Sequence, residues 1–333
     1  MNNIMAVKGL NWLGDAILSL PAIQCLKKMF PDKQLLVFTK SYLSDLYSMF
    51  DFVDQTIQYD CSLQAYRKLK ILQPGTCLIL PKSLSSACVC LLARVKNRIG
   101  YSAEFRSLFL TNSVKLNPDL LKTHRTHYYY NLLSALGSPP SLSPVIIKLK
   151  MKSQEDADNI MVDLKITSNL IGIAPGAAYG NAKQWPVSYY LNLCRQLIDT
   201  FNCSIFIFGS KSENYLCEYI KQNAGQNVYN FAGKTSLTLL ASLINKCKLY
   251  ISNDSGTMHL ANLLNIPIVV IFGPTDDTTT KPLKQPYEIV KINLNCSPCL
   301  ERTCPFGHQL CMTQIDVNEV FKACSKYLFN NNV

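Results

Sequence analysis

Ile251-Ser252-Asn253-Asp254-Ser255-Gly256-Thr257-Met258-His259-Leu260-Ala261 reads as a buried strand running straight into a helix through Asp-Ser-Gly. Free backbone N–H groups and the positive end of the helix dipole gather where such a helix begins. Ser255 and Gly256 add a hydroxyl and a close backbone approach, so the turn is a natural seat for a diphosphate. Asp254 either caps this helix or belongs to the anion site itself. His259, one turn further in, either faces the diphosphate or fills the packing between helix and sheet.

The strand-then-helix pattern extends to both sides of this stretch. Apolar runs over residues 170–174, 204–208, 249–252 and 268–272 alternate with helix-like stretches over 187–201, 213–223, 237–245 and 257–264. The front half repeats the pattern, with strand-like runs over 4–7, 35–39, 53–59 and 77–80 and helix-like runs over 16–29, 41–50 and 127–136. Such alternation predicts an α/β protein with a helix-flanked parallel sheet in each half. Gly137-Ser138-Pro139-Pro140-Ser141-Leu142-Ser143-Pro144 is the densest Pro/Ser cluster and sets a loose boundary between residues 138 and 168. The expected domains are 1–155 and 165–315, followed by a C-terminal helix within 316–333 that packs back on the first domain. Ligands of such sheets bind outside the carboxyl ends of the strands, so a cleft between the halves would hold a donor on one side and an acceptor on the other.

A chain of 333 residues, 48% hydrophobic and 17% charged, carries ample apolar material for two cores. No apolar run approaches the roughly 18 residues of a membrane span, and Lys8 and Asp15 interrupt what a signal peptide would need unbroken. A cytoplasmic protein is therefore expected. Of the fourteen cysteines, nine precede residue 250 in apolar stretches and read as reduced core fillers. The net charge of +11 favours anionic partners: nucleotide sugars, a phosphorylated glycolipid on an anionic membrane face, or nucleic acid. Charge is spread thinly with no basic–aromatic stripe, so no nucleic-acid partner is expected.

Two further strand-end loops carry chemistry. Lys8-Gly9-Leu10-Asn11-Trp12-Leu13-Gly14-Asp15 sits where the first strand stops and the first helix begins. Asp15 has two compatible roles, a first-turn acid satisfying free helix N–H groups or a general base taking a proton from an attacking sugar hydroxyl. A dry cleft raises a carboxylate's proton affinity and suits it to the second role. In Ile173-Ala174-Pro175-Gly176-Ala177-Ala178-Tyr179-Gly180-Asn181-Ala182-Lys183-Gln184-Trp185-Pro186 small residues let backbone N–H groups approach an anion, and Lys183 adds a point charge. The Gly-Lys-Ser/Thr ending of a Walker loop is missing, and an ordinary βα loop with an exposed lysine is the plain alternative. Ile271-Phe272-Gly273-Pro274-Thr275 forms one more strand-end turn lining the same cleft.

Taken together these segments resemble the lipopolysaccharide heptosyltransferase family. The likeness runs in order through Asn11-Trp12-Leu13-Gly14-Asp15, Leu80-Pro81-Lys82-Ser83, Arg98-Ile99-Gly100-Tyr101, Glu104-Phe105-Arg106, the 175–186 loop, Phe208-Gly209-Ser210, Ala232-Gly233 and Asp254-Ser255-Gly256 to His259. It implies a GT-B fold of two Rossmann-like domains, with the nucleotide held mainly by the second. It also implies an inverting transfer of L-glycero-D-manno-heptose from ADP-heptose to the first heptose of the inner core. Asp15 would be the base, while Lys183, Ser255 and Gly256 would stabilise charge on the departing diphosphate without a required cofactor. Donor contacts would come from Gly14, Gly176, Ala177, Lys183, Gly209, Glu213, Ala232, Gly233, Asp254, Ser255, Gly256 and His259. Among these, Glu213 stands where the family has an acid for the ribose; a solvated first-turn glutamate is its alternative. Phosphates or acidic Kdo sugars of the heptosylated inner core on lipid A would be met by Lys82, Arg98 and Arg106, each also readable as plain surface charge. An anionic acceptor of this kind implies peripheral contact with the cytoplasmic face of the inner membrane.

Cys296-Ser297-Pro298-Cys299 is followed by Cys304 and Cys311, with His308 between them, giving C-x2-C-x4-C-x6-C. Four thiols and an imidazole so close together suit a structural zinc, although the spacing departs from paired C-x2-C knuckles, and reduced loop cysteines or disulfide chemistry stay open. Rival functions are another GT-B sugar-nucleotide enzyme, such as a UDP-sugar epimerase or transferase, and a zinc-containing nucleic-acid-binding protein. A dinucleotide oxidoreductase is weaker, because no G-x-G-x-x-G follows the first strand.

Overall fold

A computed structural model of the chain describes residues 3–103, 105–167, 169–178 and 180–329. Glu104 and Tyr179, which belong to stretches quoted above, lie outside the described residues. The chain forms two compact units, Met1–Lys148 and Leu149–Val333.

The first unit is built on β1 (Ile4–Lys8), β2 (Gln34–Thr39), β3 (Gln55–Gln58), β4 (Thr76–Ile79), β5 (Asn97–Tyr101) and β6 (Asn112–Val114). They pair in parallel in the order β3-β2-β1-β4-β5-β6. β1 is apolar on both faces, as a central parallel strand covered by helices must be, and it sets Val7 opposite both Val37 and Leu78. On one side Ala6, Phe38, Ile57 and Ile79 pack with Ala65, Leu69, Ala87 and Cys90 from the helices Ser62–Leu72 and Leu84–Leu92. The helix Leu13–Met29 buries Ile17, Leu20 and Ile23, and packs on the short helix Arg125–Asn131.

The second unit repeats the plan with β7 (Leu170–Ala174), β8 (Ser204–Ile207), β9 (Val228–Asn230), β10 (Leu249–Asn253), β11 (Ile268–Phe272) and β12 (Tyr287–Lys291), ordered β12-β11-β10-β7-β8-β9. Read from the other edge, this is the first sheet's order again. In both sheets the chain reverses its direction of growth between the first and fourth strands, the point at which the following loops diverge and leave a crevice at the carboxyl ends. In sheet order that point is β1/β4 in one unit and β7/β10 in the other.

The helix Val317–Leu328 follows the second sheet in the chain. Its buried Val320, Ala323, Cys324 and Leu328 join the second unit's core, and Phe321 and Phe329 meet Phe201 of the helix Val187–Phe201 at ring separations of 5.9 and 4.9 Å. The apolar stripe of this helix thus belongs to the second unit's core. All fourteen cysteines are free thiols, and burial pushes Cys203 and Cys217 up to about 12, as inert core fillers should be. Cys61, by contrast, is exposed. Among the described residues no helix is long and apolar enough to cross a membrane.

Candidate active site

In the first unit, Asp15 stands in the first turn of the helix that leaves β1 at the reversal point, directly after Gly14. The N-cap, Trp12, makes no side-chain cap bond. Asp15 Oδ1 accepts a hydrogen bond from the Tyr129 hydroxyl at 3.0 Å. Tyr129 is buried, and its phenol is held well above its ordinary range, by burial first and then by the Asp15 charge, so it remains a donor. Its position comes from the helix Arg125–Asn131, where His124 Nδ1 caps the start by accepting from Thr126 N at 3.3 Å. Lys82 follows β4, the other strand of the reversal point, with its ammonium 5.1 Å from the centroid of the Tyr128 ring.

The two arginines expected beside Lys82 do other work. Arg106 is fully buried. Its Nε donates to the Tyr101 carbonyl at 2.7 Å, and its guanidinium also holds the carbonyls of Pro81 and Ser83. A charge enclosed in this way fixes the Lys82 loop from beneath instead of reaching for an acceptor. Arg98 lies at the amino end of β5 and donates to the carbonyls of Phe109 at 2.7 Å and Val95 at 2.5 Å. That is the edge opposite the one where ligands of parallel sheets bind. The fold therefore gathers Asp15 and Lys82 around Tyr128 and Tyr129, and leaves Arg98 outside the set.

In the second unit, the loop after β7 and the turn after β10 meet through an ion pair. Lys183 Nζ lies 2.6 Å from Asp254 Oδ2, with side chains 13% and 6% exposed, and the Thr275 hydroxyl donates to the same oxygen at 2.8 Å. Asp254 is thus a partner for Lys183 and not the helix cap. Ser255 occupies the N-cap position, makes no side-chain cap bond, and has its hydroxyl 3.0 Å from that of Thr257. The Ser255 side chain therefore leaves the start of the helix Gly256–Leu263 uncapped, next to the part-buried Lys183–Asp254 pair. His259 is buried within this helix.

Several of the other residues expected to contact the donor form one patch at the carboxyl ends of β7, β8 and β9. Glu213 Oε2 accepts from Ser210 N and from its hydroxyl, both at 2.7 Å, closing a capping box. The other carboxylate oxygen lies against Gly176, where any Cβ would collide with it. Gly209 approaches both Glu213 and Ala232. Gly233 has φ +70 and passes over Lys211, donating to the Gly209 carbonyl at 2.9 Å. Ala177, on the Gly176 loop, is buried.

Sequence reasoning missed Asn253. Its amide donates to the carbonyls of Pro175 at 2.8 Å and Gly176 at 3.2 Å, and its oxygen accepts from Trp185 N at 3.2 Å and the Tyr190 hydroxyl at 3.0 Å. One fully buried side chain therefore ties the end of β10 to both ends of the Lys183 loop. Trp185, two residues after Lys183, is core: it is 1% exposed and its Nε1 donates to the Ile315 carbonyl at 3.0 Å. Asn253→Ala leaves several buried groups without partners and is expected to cost about 2–4 kcal/mol in urea unfolding, with the m-value unchanged. A loss below about 0.5 kcal/mol would mean that the loop is held by other means.

The cysteine segment packs on the same region. The Arg302 carbonyl accepts from Ala182 N at 3.1 Å, Gln309 Nε2 reaches the Asn181 carbonyl at 3.3 Å, and Ser297 Oγ donates to the Gly273 carbonyl at 2.6 Å. Burial, with Cys299, Cys304 and Cys296 nearby, pushes Cys311 up to about 11, while backbone N–H groups led by that of Gln309 lower Cys304. Among the described residues no three His, Cys, Asp or Glu side chains converge into a metal-holding group.

Comparison with known proteins identifies the family. Residues 64–310 match the model of glycosyltransferase family 9 (heptosyltransferase). Lipooligosaccharide heptosyltransferase 2 of Campylobacter jejuni is 28% identical over 97% of each chain, and that of Haemophilus ducreyi is 30% identical over 85% of this chain and 87% of its own. The solved structure of ADP-heptose lps heptosyltransferase II from E. coli superposes with a TM-score of 0.86 over 99% of both chains at 24% identity, and so shares the GT-B-type pair of parallel sheets. The chain, with Asp15 after β1 at one sheet's reversal point and the Lys183–Asp254 pair at the other's, belongs to glycosyltransferase family 9, the heptosyltransferases.

Proposed function

We propose that the protein transfers L-glycero-D-manno-heptose from ADP-heptose to the first heptose of the lipopolysaccharide inner core, with inversion at the anomeric carbon. The observation that carries this reading is the part-buried Lys183–Asp254 pair, at 2.6 Å, next to the helix Gly256–Leu263, whose N-cap Ser255 makes no side-chain cap bond. A leaving diphosphate develops charge as the glycosidic bond breaks, and fixed donors already in place stabilise that charge without reorganising. Lys183 supplies the point charge, and the N–H groups following Ser255 supply the dipole end. Glu213 and the Gly209–Gly233 patch hold the nucleoside. In the first unit Asp15 accepts the proton of the attacking hydroxyl, and Lys82 meets an anionic group of the acceptor. With lysine and helix end neutralising the diphosphate, the step needs no divalent ion. An acceptor anchored on lipid A places the work at the cytoplasmic face of the inner membrane.

Incubation with ADP-heptose and a one-heptose core acceptor is expected to give a product heavier by one heptosyl unit, with the new linkage of opposite anomeric configuration to the donor and a rate unchanged by EDTA. Transfer from a UDP-sugar alone would overturn the donor assignment. Loss of activity in EDTA, restored by a divalent cation, would overturn the metal-free step.

A further inference from the structure

We infer that Tyr129 is a positioning residue for Asp15, holding its carboxylate in one orientation and keeping it ionised; this rests on the proposed role of Asp15 as base. The two side chains lie 114 positions apart in the chain and meet at 3.0 Å because the helix Arg125–Asn131 packs on the helix Leu13–Met29. Tyr129 is 4% exposed, so its hydroxyl is desolvated and held, and a buried phenol beside a carboxylate gives up its own ionisation to remain a donor. A first-turn aspartate left to itself turns back to the free N–H groups of its own helix. A fixed donor on Oδ1 competes with that and sets the plane in which the carboxylate can take a proton. Tyr128 and Arg125 from the same helix also face Tyr129, and Arg106 acts on Tyr128 as well.

A hydrogen bond to the ionised form lowers a carboxyl's proton affinity, so removing the donor raises it. The sign is therefore fixed: in Tyr129→Phe the acidic limb of the kcat profile moves to higher pH, by about one unit for a bond to a charged group. The plateau kcat falls on the order of tenfold through lost orientation, while KM for ADP-heptose is unchanged. In Asp15→Asn/Tyr129→Phe the second change adds nothing to the first. Thermal unfolding of each variant shows whether the fold survives, and the limb position, a ratio read within one preparation, is independent of the fraction folded. An acidic limb coincident with the parent's, or a Tyr129→Phe loss that multiplies fully on the Asp15→Asn background, overturns the positioning role. Near-normal turnover in Asp15→Asn alone is a different result: it removes the base assignment itself.

Discussion

Asp15→Asn lowers kcat by about 10²–10⁴-fold and leaves ADP-heptose affinity within about twofold of the parent. The amide has nearly the carboxylate's shape but cannot take a proton, so the variant separates chemistry from packing. Asp15 lies in the first unit and the proposed donor contacts lie in the second, apart from Gly14, which is why affinity and turnover should part company. Single-turnover rates together with calorimetric titration of the donor measure the two quantities separately. Normal turnover in this variant would require a different base, and no part of the diphosphate seat would be affected by that outcome.

Lys183→Ala is the second large effect, and it has two components that must be told apart. The lysine is one half of an ion pair whose carboxylate is 6% exposed, so truncation strands a buried charge and is expected to destabilise the protein by about 3–5 kcal/mol. It also removes the point charge from the diphosphate seat, which weakens ADP-heptose binding by roughly tenfold or more and lowers kcat besides. Lys183→Ala/Asp254→Ala distinguishes the components. Removing the stranded carboxylate restores part of the lost stability, read as the urea midpoint, while donor affinity stays low. If the double variant bound donor as tightly as the parent, Lys183 would be a structural partner of Asp254 alone.

The central strands announce themselves in the sequence because each is a short apolar run ended by a turn, and the reversal-point loops stand out because small residues, a lysine or an acid follow such a run. Among the edge strands only β3 was visible; the others, and β5 beside an edge, were not. β6 and β9 have three residues each, β12 is half-buried, and β5 carries Arg98 among its apolar residues, so none shows the continuous hydrophobicity of a covered strand. The helix Met151–Asp163 lay within the stretch given to the domain boundary, and it buries only Ser153 and Ala157. At the site, Asp15, Lys183 and Asp254 could be named from local pattern. Asn253 and Tyr129 could not, since their roles exist only through partners brought from 63 to 114 positions away. Arg106 shows the converse difficulty: a guanidinium looks like a surface charge in any sequence, and only the packing reveals that three carbonyls have enclosed it.

The same strand order drawn twice has a consequence for how such an enzyme diversifies. Each sheet sets its own crevice through its own core, so loops on the front half can be exchanged without rebuilding the nucleotide seat. A hybrid joined between Lys148 and Leu149 to the rear half of a relative should take its nucleotide preference from the rear partner and its sugar-acceptor range from the front.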